Sequence, residues 1–237
     1  MKAFAVILVT FFCLSGASVH AEDAMEYYSL GIKGANTRKK IAYFTKALQL
    51  EPKLAAAYEK RGLLQFYQGN YDKVIEDYQK YLALASPTAE AYRMLGMGYL
   101  KSGKYNEAIA SFSRAIAIDP KLTSGYANRA EAYRLSGRDE QALEDCSRAI
   151  ALRRDSRSRA DAYRTRARIY RKLGRMNLAV EDVRAAMDVD PRVPRFWRYY
   201  LKYASPEELR SVAPFLLILL ALVLIFGLRL KPPEKDD

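Results

Sequence analysis

Apolar and small side chains return at an interval of 34 positions through the middle of the chain, and at its two ends they run together with no period. The interval is clearest in 89–122, AEAYRMLGMGYLKSGKYNEAIASFSRAIAIDPKL, where Tyr92, Leu95, Gly96 and Tyr99 are followed by Ala108, Phe112 and Ala115. Steps of three and four residues put each set on one face of a helix, so the segment predicts two amphipathic helices. Between them Ser102-Gly103-Lys104 is a turn, with Gly103 supplying the positive φ that ends the first helix. Pro120 stops the second, because it has no amide proton to continue the ladder. Gly96, Ala108 and Ala115 fall where the two helices cross, and larger side chains there would force the axes apart.

The same frame fits 123–156 through Tyr126, Ala130, Tyr133, Gly137, Ala142, Cys146 and Ala149, with Arg154 in place of the terminating proline. Three further residues, Arg157 to Arg159, precede another match in 160–193, which carries Tyr163, Ala167, Tyr170, Gly174, Ala179, Val183, Ala186 and Pro191. A loop widened by those three residues is expected there. Upstream, 55–88 keeps Tyr58, Gly62, Gly69, Tyr71 and Tyr78 but has Arg61, Val74 and Tyr81 where Leu, Ala and Ala stand in 89–122, which makes it a degenerate copy. In 22–54, Ile41, Phe44, Ala47, Leu48 and Pro52 match a second helix, while the first, near Tyr27 to Lys33, is imperfect, so this segment reads as an N-terminal cap. Trp197 and Tyr200 in 194–204 suit a capping helix at the other end.

The order of aromatic, Leu-Gly, Tyr, Gly, Ala, Phe, Ala and Pro positions in 89–122 resembles the tetratricopeptide repeat, and the resemblance covers four units from 55 to 193. It implies an all-α fold, a right-handed α-solenoid of antiparallel helix pairs. In that family the first helices line a concave side that holds an extended peptide or a partner's helix. By the resemblance, Arg93, Asn128, Arg134, Arg164, Arg168, Arg171 and Lys172 belong to this partner-binding groove. Some relatives grip a peptide's terminal carboxylate with a Lys/Arg and Asn set spread over three repeats. Arg93 and Asn128 match two members of that set, but Met97, Asp161 and Thr165 occupy the remaining positions, so that particular activity is not expected.

The aperiodic ends point to a membrane. Lys2, an apolar run from Ala3 to Leu14, and the small-residue ending Val19-His20-Ala21 have the layout of a signal peptide, 1–21, cut after Ala21. Near the other end Val212 to Leu228 contains no charged residue, and thirteen of its residues are Leu, Ile, Val or Phe. With Arg229 able to snorkel, 212–230 is long enough for a transmembrane helix. It follows a juxtamembrane segment, 205–211, in which Ser205, Pro206 and Glu208 form a helix start. Arg229, Lys231 and Lys235 favour a cytoplasmic tail, 231–237, and hence a solenoid on the extracytoplasmic side, periplasmic or luminal.

Composition narrows the chemistry. Removal of 1–21 would take away Cys13 and the only histidine, His20, leaving Cys146 as the single cysteine. No internal disulfide, histidine catalysis or His/Cys metal site is then available, and no cofactor, metal, small-molecule substrate or enzymatic activity is expected. Cys146 stands at a packing position and is expected to be a small buried hydrophobe. Asp139, Glu140, Glu144 and Asp145 are expected to be solvated ion-pair partners on helix surfaces. The GxxxxGK spacing from Gly98 to Lys104 lacks the preceding strand and the following Ser/Thr of a phosphate loop.

Charge is the stronger signal. The chain carries a net charge of +12, and ten basic residues against Asp155 and Asp161 lie between Arg153 and Arg175. Arg164, Arg168, Arg171 and Lys172 share a helix face. Arginine's planar fork suits carboxylates and phosphates, so the natural partner is an acidic protein or an anionic lipid surface, while nucleic acid does not fit the extracytoplasmic placement. The expected function is a single-pass, membrane-tethered protein-interaction scaffold acting in envelope or secretory-compartment assembly. The alternative is a structural subunit that organises a membrane complex through a basic, aromatic lipid-binding surface, 153–203.

Overall fold

The computed structural model of the chain describes residues 22–190, and every regular element in that span is an α-helix. The first, α1, spans 22–33. It is followed by α2 (Thr37–Leu50), α3 (Ala55–Tyr67), α4 (Tyr71–Leu84), α5 (Ala89–Lys101), α6 (Tyr105–Ile118), α7 (Thr123–Leu135), α8 (Asp139–Leu152), α9 (Ser156–Lys172) and α10 (Met176–Val189). The signal peptide, capping helix and transmembrane helix expected from the sequence lie outside the described residues. Among the described residues no helix is long and apolar enough to cross a membrane.

Each odd-numbered helix from α3 to α9 folds back on the even-numbered one after it, and each even-numbered helix from α2 to α8 packs on the next odd one, which makes a solenoid. The hairpins are tight because glycine ends the first helix of the pair. Gly69, Gly103, Gly137 and Gly174 have φ of 76°, 75°, 80° and 73°, a region where an L side chain is strained. The chain can therefore restart as a helix within two residues of each glycine.

The expected small positions are the crossing points. A Cβ on Gly96 would lie 2.6 Å from Cε1 of Phe112, so glycine is what lets α5 and α6 approach. Ala108, Ala115, Ala142, Ala149 and Ala186 are fully buried, and Ala179 nearly so. In the degenerate copy the core is rebuilt rather than lost: Val74 is buried at the register of Ala108, and Tyr81 packs edge-on to Tyr78 at 6.4 Å. The segment 22–54 is a complete helix pair, in which Phe44 and Ala24 are buried and a Cβ on Gly31 would meet the Phe44 ring at 2.6 Å.

The three residues Arg157 to Arg159 do not widen a loop. They lie inside α9, which has 17 residues where α3, α5 and α7 have 13. Asp155 starts the helix early by accepting from the Arg157 amide and the Ser158 hydroxyl. Without the proline expected at Arg154, α8 ends on Arg153 in the left-handed conformation, φ 52°. A helical cap and a left-handed corner thus absorb the insertion as nearly one extra turn.

Candidate functional site

The residues assigned to the groove sit on α5, α7 and α9, the first helices of consecutive pairs, and most already have carboxylate partners. Arg93 forms a two-point pair with Glu90, through Nε at 2.7 Å and Nη2 at 2.6 Å. Arg134 does the same with Glu131 one turn before it, at 2.8 Å through each nitrogen. Arg164 is paired with Asp161, and Lys172 Nζ lies 2.5 Å from Oδ2 of Asp139 on α8. Arg171 is half-buried on the same helix. Asn128, also half-buried, has an amide that makes no hydrogen bond among the described residues.

These pairs are not spread evenly. The register position held by Leu63 in α3 and Met97 in α5 is Glu131 in α7 and Arg168 in α9. The face of the first helices is therefore apolar at that position in two repeats and charged in the next two. In the charged half α7 and α9 also pack directly along one another, whereas α3 with α5 and α5 with α7 meet over only a few residues. Small side chains permit this approach, because Ala127, Ala130 and Ala162 share one buried cluster.

Glu131 is the centre of that contact. Besides its two bonds from Arg134, its Oε2 accepts from the buried Thr165 hydroxyl at 3.1 Å, and its Oε1 lies 3.7 Å from Nη1 of Arg168. Burial alone would raise the Glu131 carboxyl pKa, but the Arg134 hydrogen bonds and the charges of Arg134 and Arg168 outweigh it and hold it below the ordinary value. Arg164 shows the opposite imbalance. Burial, and after it the neighbouring charges of Arg168 and Arg157, lower its guanidinium pKa against the pull of Asp190 and Glu131.

A second set of arginines escaped the sequence reading. Arg61, Arg129 and Arg166 occupy one register position in α3, α7 and α9, and each grips an aspartate sixteen residues on: Asp77, Asp145 and Asp182. The third nitrogen of each crosses to a hydroxyl of the preceding pair, Thr45 at 3.2 Å, Ser113 at 2.9 Å and Ser147 at 3.4 Å. Each guanidinium also lies over tyrosine rings, Arg129 between Tyr126 at 5.7 Å and Tyr133 at 5.8 Å. Arg61, which looked like a defect in its copy, is thus a brace between repeats, and Leu95 with Ser111 is the exception. The signal available was the 16-residue Arg–Asp spacing, present in three of the four repeats.

This corrects the expectation for the acidic residues. Asp139 and Asp145 are buried, at 7% and 5% exposure, while Glu140 and Glu144 are the solvated pair. Tyr126, Ala130 and Ala167 are buried, and Tyr92, Tyr99 and Tyr163 half-buried. Pro120 follows the end of α6, and Pro191 lies outside the described residues. Cys146 is a fully buried packing residue, and burial pushes its thiol pKa far up. Gly98 is inside α5, where a Cβ would meet Ile75 at 3.0 Å, which leaves no phosphate loop.

Sequence profiles of the tetratricopeptide repeat match residues 89–122, 123–156 and 160–193, so the chain carries tetratricopeptide repeats over these three segments. Among solved structures, MamA is similar with a TM-score of 0.61 at 23% identity, over 69% of this chain and 94% of that one. MamA from Desulfovibrio magneticus RS-1, residues 41 to the end, gives 0.64 at 16% identity, over 73% and 97%. YrrB, described as a TPR protein with an unusual peptide-binding site, gives 0.61 at 20% identity, over 75% and 92%. These likenesses are of fold. No curated protein matches the sequence.

Proposed function

We propose that this chain is a membrane-tethered scaffold whose first helices hold a segment of an acidic protein partner, with no chemistry beyond binding. The observation that carries the reading is the change of chemistry along one face. Leu63 and Met97 give way to a charged surface on α7 and α9, where Arg164 feels the charge of Arg168 and the Asn128 amide makes no hydrogen bond among the described residues. Arginine forks and a side-chain amide suit the carboxylates and backbone of a peptide. The fold is shared with YrrB, whose description includes a peptide-binding site. The tether rests on the apolar segment 212–230 and the signal-like 1–21, which together would place the solenoid outside the cytoplasm, as envelope or secretory-compartment assembly requires.

Proximity labelling by the intact chain, compared with a variant carrying Arg164→Glu, Arg168→Glu and Arg171→Glu, tests the reading. Loss of specific proteins from the labelled set is the expected result, and an unchanged set ends it. A variant that keeps its protein neighbours but loses salt-sensitive binding to anionic liposomes would favour the alternative, a structural subunit lying on lipid.

A further inference from the structure

We propose that Arg134, Thr165 and Arg168 form a carboxylate seat for the acidic partner, and that Glu131 fills this seat in the free chain as a tethered competitor. The inference rests on the groove reading above and adds to it the atoms that receive the ligand and the residue that opposes it.

The seat is defined by what already occupies it. Arg134 presents two parallel donors, Nε and Nη2, each 2.8 Å from a Glu131 oxygen, the fork geometry arginine offers to any carboxylate. Thr165 adds a hydroxyl donor at 3.1 Å from a neighbouring repeat, so the arrangement exists only where α7 and α9 lie side by side. Arg168 approaches to 3.7 Å, close enough for charge but too long for a hydrogen bond. Its guanidinium is left with donors that Glu131 does not satisfy, and its side chain is 42% exposed. A carboxylate arriving from solvent can therefore take both arginines, whereas Glu131, held on α7 beside Arg134, takes only one well.

Charge counts in the same direction. Among the described residues Glu131 is the acid in contact with both Arg134 and Arg168; Asp161 pairs with Arg164, Asp139 and Asp190 act on Arg134 and Arg164 through their charge, and Arg157 adds a further cation near Arg164. An incoming carboxylate that displaces Glu131 brings a negative charge that both arginines can share, while the released Glu131 can turn to solvent from a position already 26% exposed. A ligand site filled most of the time by an internal group binds with an apparent affinity reduced by the fraction of time it is empty. Glu131 sets that fraction.

The test uses the full chain in detergent and a fluorescein-labelled hexaglutamate peptide followed by anisotropy at low salt. Glu131→Gln, which keeps the size but removes the charge and replaces one of the two acceptor oxygens by a donor amide, should tighten binding about tenfold. Glu140→Gln, the same charge change at an exposed site on α8, should leave it within about twofold, since a lone exposed charge is screened. Adding Arg134→Gln to Glu131→Gln should abolish the gain. Equal tightening by both glutamine variants, or a gain that survives loss of Arg134, overturns the seat. If the peptide binds, is lost on reversing Arg164, Arg168 and Arg171, and ignores Glu131→Gln, the seat falls and the groove stands. If no variant binds it, both fall. A gain for sn-glycerol 3-phosphate as a lipid-headgroup probe, with none for the peptide, overturns the acidic-peptide assignment.

Discussion

Arg129 holds both carboxylate oxygens of Asp145 across the hairpin between α7 and α8, at 2.7 and 2.8 Å, and sends its remaining nitrogen to Ser113 on α6. The aspartate is buried and the arginine side chain is 19% exposed. Asp145→Ala leaves that cation under the surface with no counter-charge, and we expect it to cost about 3 kcal/mol. Replacing both partners is different, because the chain already contains the apolar solution at the same register, Leu95 with Ser111. There the Ser111 hydroxyl is satisfied by the Glu107 carbonyl of its own helix at 2.8 Å, and Ser113 already has the Ile109 carbonyl. Arg129→Leu with Asp145→Ser should lie within about 1 kcal/mol of the parent. Urea midpoints from far-UV circular dichroism decide this, and a double variant as weak as Asp145→Ala would refute it.

Two glycines seven residues apart should fail for different reasons. At Gly96 a Cβ would lie 2.6 Å from the Phe112 ring, so Gly96→Ala overpacks the α5–α6 crossing and should cost about 2 kcal/mol even after the helix propensity it gains. At Gly103 nothing lies within 4 Å, and the cost is the positive φ of 75° alone, about 1 kcal/mol. Phe112→Leu should recover part of the first loss and none of the second. Thermal melting of the four variants separates steric from conformational cost.

The repeat was legible because packing writes it in small residues. Gly96, Ala108 and Ala115 announce their crossings, and the hairpin glycines announce their turns. What stayed hidden was whatever depends on a partner across the fold. Arg61 read as a defect because its aspartate lies sixteen residues away on another helix, and Asp145 read as solvated because charge alone does not reveal burial. The three-residue insertion read as loop because it stands between two repeat frames, whereas Asp155 and Ser158 supply a cap that draws the residues into α9. The arginines proposed for the groove were assigned by register. The acids of Arg93, Arg134 and Arg164 stand three residues earlier on the same helices, a spacing present in the sequence, whereas the contacts of Glu131 with Thr165 and Arg168 are visible only once α7 and α9 lie together.

Cys146 should act as a reporter of global opening. It has no exposed surface and its thiol pKa is raised far beyond the usual range by burial, so neither access nor thiolate is available in the folded state. At pH 8 the folded chain should leave Cys146 unmodified by iodoacetamide over hours, as read by peptide mass mapping, and urea above the unfolding midpoint should expose it within minutes. Rapid labelling of the folded chain would contradict the buried packing role.

Glu131 gives the fold a defined acid sensitivity. Its folded pKa is depressed below the ordinary 4.5, with burial opposing and Arg134 and Arg168 prevailing. In that range the unfolded chain binds the extra proton first, so stability rises with pH through the window between the depressed value and 4.5. The contribution is complete above 4.5 and is lost as pH falls through the folded pKa. Glu131→Gln has no such proton to bind. The difference in urea midpoint between parent and Glu131→Gln should therefore be constant at neutral pH and change only below about pH 5, always in the direction of lost parent stability. Other carboxylates titrate in both proteins and cancel from the comparison. A difference flat down to pH 3 would mean that Glu131 is not held by Arg134 and Arg168, and the carboxylate seat built on that contact would go with it.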